Sequence, residues 1–509
     1  MTSNENLREA FPLPGLKKKI ERVLLISPPG KMVVTRDGAR ERKLAVPPLG
    51  VASMAAALRQ QCPYIHVEIL DVMIEGYDNE RAEGIEILYG LDNDQVAARI
   101  EAFKPDMVGV SCLFSNRGKE AVGLCEVAKK TVPDAHVVMG GQHPSGMPQL
   151  VLNESIDYIL YGEADNSLPR LIETINTGGD ITAVSQIVLA DGDSYWKSEE
   201  NDYPDPSSLP FPALDIIGLD KYWAASAPDF EANDYKKFVM MLTSRGCPHA
   251  CYYCTAPFMS DKRYRRKEVP EILDEIQFYI DTYGAEEIHF WDDNFFINKK
   301  RTKDLLRELA RNFKEISFQV PSGTEINALD DEIIDLLKEA GFIKMSLAIE
   351  SMNPEIQQNN IENKVNLDRV PDVVRKLRNH GIITEGSFMV GFPGESKKQI
   401  DHTFETATKL GLDGIHISVV NPLPGTPLYD ECVEKNILSD DFDPQDIRFS
   451  SENIKMPDVE KGYMSKRRRD VWLEYMSKRV DVEEYESQAG YDNEIRAAKG
   501  GVRRKNSGS

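Results

Sequence analysis

The chain has 509 residues, 41% hydrophobic and 28% charged, with a mean hydropathy of −0.40; this is the profile of a globular protein with room for about three domains. With 61 Lys and Arg against 83 Asp and Glu, the net charge is −22, which disfavours nucleic-acid partners because affinity for phosphate backbones rests on cationic side chains displacing counterions. No run of about 18 uncharged apolar residues occurs, so no membrane span is expected, and Met1–Leu16 lacks the apolar core of a secretory leader, which points to the cytoplasm.

Residues 1–20 read as a polar extension. Short, branched, turn-bounded apolar runs follow at Arg22–Ser27, His66–Val72, Met107–Leu113, His136–Met139 and Tyr158–Tyr161, separated by helical stretches. That alternation predicts a doubly wound α/β domain over 21–176, with functional loops after the carboxyl ends of the strands. Residues 177–236 read as a connector: a hairpin with an Asp191-Gly192 turn, then a Pro-rich stretch over Tyr203–Pro212. A second βα series runs over 237–430, with strands expected at Phe238–Thr243, Glu287–Trp291, Ser317–Val320, Lys344–Ile349, Thr384–Val390 and Gly414–Val420. Six such units predict a partial (βα)6 barrel. Residues 431–509 read as a mainly helical region ending in a disordered tail from about Ala497.

Seven cysteines in a chain of this length do not form a disulfide framework. Three of them, Cys247, Cys251 and Cys254, fall in one loop after the first barrel strand, spaced C-x3-C-x2-C. Three thiolates at this spacing suit three corners of an iron–sulfur cube with one iron left open. A zinc site completed by His249 is the other reading of the same residues.

The triplet, with Tyr253 before its last cysteine and a partial barrel behind it, resembles the radical S-adenosylmethionine (SAM) superfamily. The resemblance implies that Cys247, Cys251 and Cys254 ligate a catalytic [4Fe-4S] cluster whose fourth iron is chelated by SAM. It further implies SAM contacts at Asp292 and Asp293 after the second strand, at Glu350 after the fourth for the ribose, and at Gly391, Phe392 and Pro393 after the fifth for the adenine side. Tyr253 joins that set. Read alone, the two aspartates could cap a helix, Glu350 could be a solvated strand end, and the glycines could only form turns.

In the first domain, Asp71-Val-Met73-Ile-Glu-Gly76, Ser111-Cys-Leu113 and Gly140-Gly141 follow successive strands. This order resembles the cobalamin (B12)-binding Rossmann-like domain and implies that Asp71, Met73, Gly76, Ser111, Leu113, Gly140 and Gly141 bind cobalamin. Met73 stands where many members carry the cobalt-ligating His, so no protein His ligand is expected beneath the corrin. A flavodoxin-like scaffold whose Gly and Ser residues only make turns is the plainer reading. The turn Gly162-Glu163-Ala-Asp165 fits the same branch, or simply a helix start favoured by acids.

Together the two halves resemble the B12-dependent radical SAM enzymes, most closely their methyltransferases. The resemblance implies that a 5′-deoxyadenosyl radical takes hydrogen from an unactivated carbon, and that methylcobalamin then delivers a methyl group. The substrate would be a small natural-product intermediate, and the electron donor a flavodoxin or ferredoxin. Asp71–Asn79, Tyr89–Leu91 and Ser111–Asn116 look most like the phosphonate methylases of fosfomycin biosynthesis. A non-methylating member, such as an oxidative cyclase or ring-rearranging enzyme, would keep every motif. The basic run Lys466–Arg469 reads as a solvated helix face in preference to a phosphonate site.

Overall fold

The computed structural model describes residues 19–33, 43–84, 86–191, 194–226, 236–362 and 364–477. Most of the N-terminal extension, the turn at Gly192 and the expected tail lie outside the described residues.

In chain order the first half comprises β1 (Arg22–Ser27), β2 (Gly30–Val33), α1 (Leu49–Gln61), β3 (His66–Asp71), α2 (Val72–Glu75), β4 (Glu80–Glu83), β5 (Glu86–Tyr89), α3 (Asn93–Phe103), β6 (Met107–Ser111), α4 (Gly118–Thr131), β7 (His136–Gly140), α5 (Gln142–Gly146), β8 (Tyr158–Leu160), α6 (Ser167–Thr177), β9 (Ile187–Asp191), β10 (Ser194–Lys197) and α7 (Leu219–Ala225). The main sheet has the order β10-β9-β8-β7-β6-β1-β3. Five adjacent strands, β8-β7-β6-β1-β3, are parallel, and β9–β10 adds an antiparallel edge. The apolar runs are buried on both faces, as covered parallel strands must be.

A small antiparallel sheet, β2-β5-β4, is inserted beside the loops after β1 and β3, and the sequence reading does not anticipate it. Ions hold it as much as apolar contact. Lys31 pairs with Glu86 at 3.2 Å and Glu120 at 2.7 Å, its side chain only 8% exposed, while Met32, Ile87 and Tyr89 form its apolar face.

The second half comprises β11 (Phe238–Met241), β12 (Ser244–Arg245), α8 (Ala256–Ser260), β13 (Arg265–Arg266), α9 (Val269–Tyr283), β14 (Glu287–Phe290), α10 (Lys299–Asn312), β15 (Ser317–Glu325), α11 (Asp331–Glu339), β16 (Phe342–Glu350), α12 (Pro354–Asn360), α13 (Val370–Asn379), β17 (Ile383–Val390), α14 (Lys397–Ala407), β18 (Gly414–Val419), α15 (Pro427–Glu434) and α16 (Tyr463–Ser477). Its sheet, β11-β14-β15-β16-β17-β18, is parallel throughout: the expected six-stranded partial barrel. The strands alternate sides with period two. Ile288, Phe290, Phe318, Phe342, Met345, Leu347 and Ile349 sit in the apolar core. The intervening positions are polar and satisfy one another: Gln319 donates to Glu287 at 2.6 Å and Lys344 pairs with Glu385 at 2.8 Å.

The connector is not a passive linker. Tyr222 on α7 is fully buried and donates its hydroxyl to Asp71 at 2.5 Å. Asp71 also caps α2 by accepting from Met73 N at 3.0 Å and Ile74 N at 3.3 Å, and its burial pushes the carboxyl up to about 6. Tyr222→Phe leaves this buried carboxylate one donor short and should destabilise the protein by about 1–3 kcal/mol. Urea unfolding checks this; an unchanged midpoint would mean water replaces the hydroxyl at no cost.

Candidate functional site

The cysteine loop leaves β11 through Thr243, and two adjacent acids after β14 hold its entrance. Asp292 is fully buried and accepts from Thr243 N at 3.2 Å, Thr243 Oγ1 at 2.7 Å and Ser244 Oγ at 2.5 Å. Arg301 donates to the carbonyls of Thr243 and Lys267, both at 2.9 Å. Asp293, exposed, accepts from Gly246 N at 3.0 Å. Gly246 has φ +81, and a Cβ there would lie 2.2 Å from the Arg263 carbonyl, so the turn into Cys247 requires glycine.

The two aspartates that sequence treats alike are therefore unequal. Among the described residues, all the hydrogen bonds of Asp292 run to the loop entrance, whereas only one oxygen of Asp293 is bonded.

Cys247, Cys251 and Cys254 are half-buried free thiols that sense one another's charge. Burial pushes Cys247 up to about 11 and Cys254 up to about 12. Among the described residues, no three His, Cys, Asp or Glu side chains form a group that could hold a single metal ion. His249 turns to Glu325 at 3.4 Å. The donor set thus does not converge as mononuclear zinc requires, and soft thiols on one loop suit a cluster that spreads its ligands over separate irons.

Tyr252, Tyr253 and Phe392 pack together, with ring centroids 5.8 Å apart for Tyr253–Phe392 and 6.5 Å for Tyr252–Phe392. This contact brings the cysteine loop to the turn after β17. There Glu395 accepts from Gly391 N at 2.6 Å and Phe392 N at 3.1 Å, leaving neither amide free; burial pushes its carboxyl up to about 7. Gly391 has φ +91, and a Cβ there would meet Met464 Sδ of α16 at 2.9 Å. Pro393 follows in the same turn.

Glu350 ends β16 in a left-handed backbone, φ +64, at a register shift between Ala348 and Glu350 against β17. Such strain in a residue with a Cβ persists only where its surroundings fix it. Gln357 does so here, donating to the carbonyls of Ile349 at 2.8 Å and Ser351 at 2.6 Å. Glu350 makes no hydrogen bond or ion pair among the described residues, and burial pushes its carboxyl up to about 7.

On the other domain, Ser111 and Gly140 pair in register at the carboxyl ends of β6 and β7. With Leu25, Met54, Gly109 and Ala164 they line a narrow cavity of about 30 Å³. A Cβ on Gly109 would come 2.7 Å from Leu25 Cδ2. Gly141 has φ +112, where a Cβ would lie 2.4 Å from the Cys112 carbonyl. A Cβ on Gly76 would come 2.3 Å from Leu91 N. Leu113 is 54% and Phe114 60% exposed on the loop after β6, an apolar face at the edge where doubly wound sheets bind ligands. Met73 is half-buried against the face of the small sheet. A narrow slot, close backbone approaches and an open apolar lip thus lie together at the carboxyl edge of this sheet, where doubly wound sheets bind ligands.

Sequence reasoning missed His143, just past the glycine pair. Its ring is 3% exposed, Nδ1 lies 3.0 Å from Ser115 Oγ, and burial pushes its pKa down to about 4. It also missed Arg245, two residues before Cys247, which donates to Asp165 at 2.6 and 3.1 Å and to Glu163 at 3.2 Å. A lone His and an Arg beside a glycine carry no periodic signal. The basic run on α16 is engaged with the barrel: Arg468 donates to the Ile417 carbonyl at 2.5 Å and Arg467 lies 3.7 Å from Asp401.

The B12 binding domain family matches residues 35–172 and the Radical SAM superfamily matches residues 241–407. An uncharacterized methyltransferase of Pyrococcus horikoshii is 28% identical, over 82% of this chain and 85% of its own. The cytidylyl-2-hydroxyethylphosphonate methyltransferase of Streptomyces wedmorensis is 26% identical, over 87% and 88%. The radical SAM methyltransferase TsrM from Kitasatospora setae, solved with cobalamin and a [4Fe-4S] cluster, shares the fold: TM-score 0.66 at 19% identity, over 88% of this chain and 85% of that one. The chain is thus a B12-binding domain joined to a radical SAM barrel. It belongs to the cobalamin-dependent radical SAM enzymes, and its cofactors are a [4Fe-4S] cluster, SAM and cobalamin.

A carboxylic acid with a folded pKa near 7 against an ordinary 4.5 binds an extra proton when folded. Its contribution to stability is therefore lost as pH rises through that window. Urea midpoints of the SAM-free protein at about pH 5 and about pH 8 should differ less for Glu350→Gln than for the wild type. Equal differences would mean that Glu350 ionises freely.

Proposed function

We propose that this enzyme methylates an unactivated carbon of a small molecule. The observation that carries this reading is the meeting of the two sheets' carboxyl edges. α5 reaches the cysteine loop through Gln142, which bonds Thr255. Gly146 packs so closely on the loop after β18 that a Cβ would lie 2.4 Å from the Pro424 carbonyl. Loops that suit cobalamin and loops that suit SAM are thus in contact, which supports an enzyme that uses both on one substrate.

Cys247, Cys251 and Cys254 would hold a [4Fe-4S] cluster, which when bound would supply the electron for cleavage of SAM to methionine and a 5′-deoxyadenosyl radical, and cobalamin would carry the methyl group. Asp293 offers its open oxygen to the SAM amino group, while Asp292 orients the loop. Glu350, aimed by the bulge in β16 and lacking a partner of its own, takes the ribose hydroxyls. Phe392, packed on Tyr253, and Pro393 shape the adenine side. On the facing domain, Ser111, Gly140 and Gly141 would hold cobalamin at the carboxyl edge of the sheet, with Leu113 beside it. Asp71 and Gly76 shape the loop after β3, and Met73 stands where a His ligand is absent. Leu113, Phe114 and Trp291 are exposed apolar side chains suited to keep water from a radical.

The substrate is a small natural-product intermediate; a phosphonate is supported by the Streptomyces wedmorensis relative, whose name states such a substrate. A flavodoxin or ferredoxin supplies the electron. A reducing cytoplasm suits seven free thiols, and no helix among the described residues is long and apolar enough to cross a membrane.

Anaerobic protein reconstituted with iron, sulfide and hydroxocobalamin, then given SAM and a reductant, should yield both 5′-deoxyadenosine and S-adenosylhomocysteine by mass spectrometry. The Cys247/Cys251/Cys254→Ala variant should lose the 5′-deoxyadenosine. 5′-Deoxyadenosine without S-adenosylhomocysteine would indicate a cyclase or rearranging enzyme instead.

A further inference from the structure

The turn after β8, Gly162–Asp165, faces two ways. Ala164 lines the narrow cavity shared with Ser111 and Gly140. Its two neighbours reach across to the barrel. Asp165 grips Arg245 with both oxygens, and Glu163 bonds Arg245 at 3.2 Å and Arg265 at 3.0 Å. Arg245 and Arg265 are themselves paired across the β12–β13 ribbon, and Gly246 and Cys247 follow directly. Arg265 also donates to the Pro204 carbonyl at 2.7 Å and lies 5.1 Å from the Tyr203 ring of the connector.

These side chains are 6–16% exposed, so the pairs are poorly screened. A bidentate Arg–carboxylate pair fixes angle as well as distance. The loop's own shape does not need this joint, because Asp292, Asp293 and the β13 strand already hold it. What the joint adds is the register of one domain on the other.

We propose that Glu163 and Asp165 are positioning residues that set the distance between the cobalamin and the iron–sulfur cluster, through Arg245 and Arg265. This rests on the two-cofactor reading above. A group held one residue from the cavity wall and two residues from a cluster cysteine transmits displacement with little slack. An ångström of misplacement can cost about 100-fold in a reaction that demands alignment.

The test uses the full chain carrying Glu163→Gln and Asp165→Asn together, which keeps shape and removes charge. Both proteins are reconstituted, assayed for iron and cobalamin, reduced to the paramagnetic cluster and cob(II)alamin, and compared by pulsed EPR for the distance between the two spins. The variant should keep both cofactors and still form 5′-deoxyadenosine from SAM. Its distance distribution should shift or widen, and Arg245→Lys, which keeps charge but not the fork, should fall between the two. A distribution superimposable on the wild type would overturn the proposal. Should the double variant lose a cofactor, Glu163→Gln alone decides, since Asp165 still holds Arg245: an unwidened distribution there also overturns it. A wild type that takes up iron but no cobalamin would instead sink the two-cofactor reading.

Discussion

A carboxylate shut away from solvent at Asp292 receives three hydrogen bonds from Thr243 and Ser244, and so fixes the point where β11 passes into the cysteine loop. A buried acid is tolerated only when its lone pairs are occupied, so the dependence runs both ways. The loop entrance completes Asp292, and Asp292 dictates the loop entrance. Gly246 follows with its positive φ, held by Asp293, and the first thiol comes next. Everything proposed for the cysteines presupposes this short, fully bonded stretch. Thiol spacing in sequence sets which residues can ligate, but only the entrance geometry decides where they point.

Two acids at the site sit in environments that are costly for a carboxylate. Glu350 adopts a left-handed backbone and Glu395 is buried on two amides; both are pushed up to about 7 by desolvation. Neither has a cation in contact among the described residues. Glu395 is explained internally, because without it the turn after β17 would bury two unpaired amides. Glu350 has no such explanation among the described residues. Strain and desolvation at a residue with no hydrogen bond or ion pair among the described residues are what supports reading Glu350 as a ligand-facing position.

The architecture was legible because buried parallel strands announce themselves. Arg22–Ser27 coincides with β1, and the six barrel runs fall on the six barrel strands, since both sheets are covered and their strands are short, branched and turn-bounded. The β2-β5-β4 sheet was illegible for the opposite reason. Glu80–Glu83 is mostly exposed and highly charged, and β2 pairs with a strand more than fifty residues away, with a buried ion cluster at Lys31 beside a small apolar face. At the site, residue types were legible and their division of labour was not. Sequence cannot tell which of Asp292 and Asp293 is buried, because that follows from where Thr243 lies. Nor could it find Tyr222, which sits in a segment read as a connector while filling the hydrogen-bonding capacity of Asp71.

The Arg245 joint is one of several places where the domains are tied, and another involves the C-terminal segment. From there Asp443 pairs with Lys119 at 2.7 Å, Arg448 with Glu86 at 2.8 Å, and Gln445 donates to the Leu150 carbonyl at 3.2 Å. The same segment is anchored to the barrel, since Asn421 donates to the Arg448 carbonyl and Val419 N to the Phe449 carbonyl. Arg245 and Arg265 meet the first domain after β8, whereas Arg448 meets it at the inserted sheet. A single ion-pair joint leaves a hinge, but two joints at separate points on a domain leave little freedom to rotate. The small sheet thereby gains a reason to exist: it presents Glu86 to the barrel side and is itself fixed through Lys31 and Glu120 to α4. A gap held from two points keeps its width without a lid, and a reaction that needs two cofactors at fixed separation on one substrate needs that rigidity more than it needs closure.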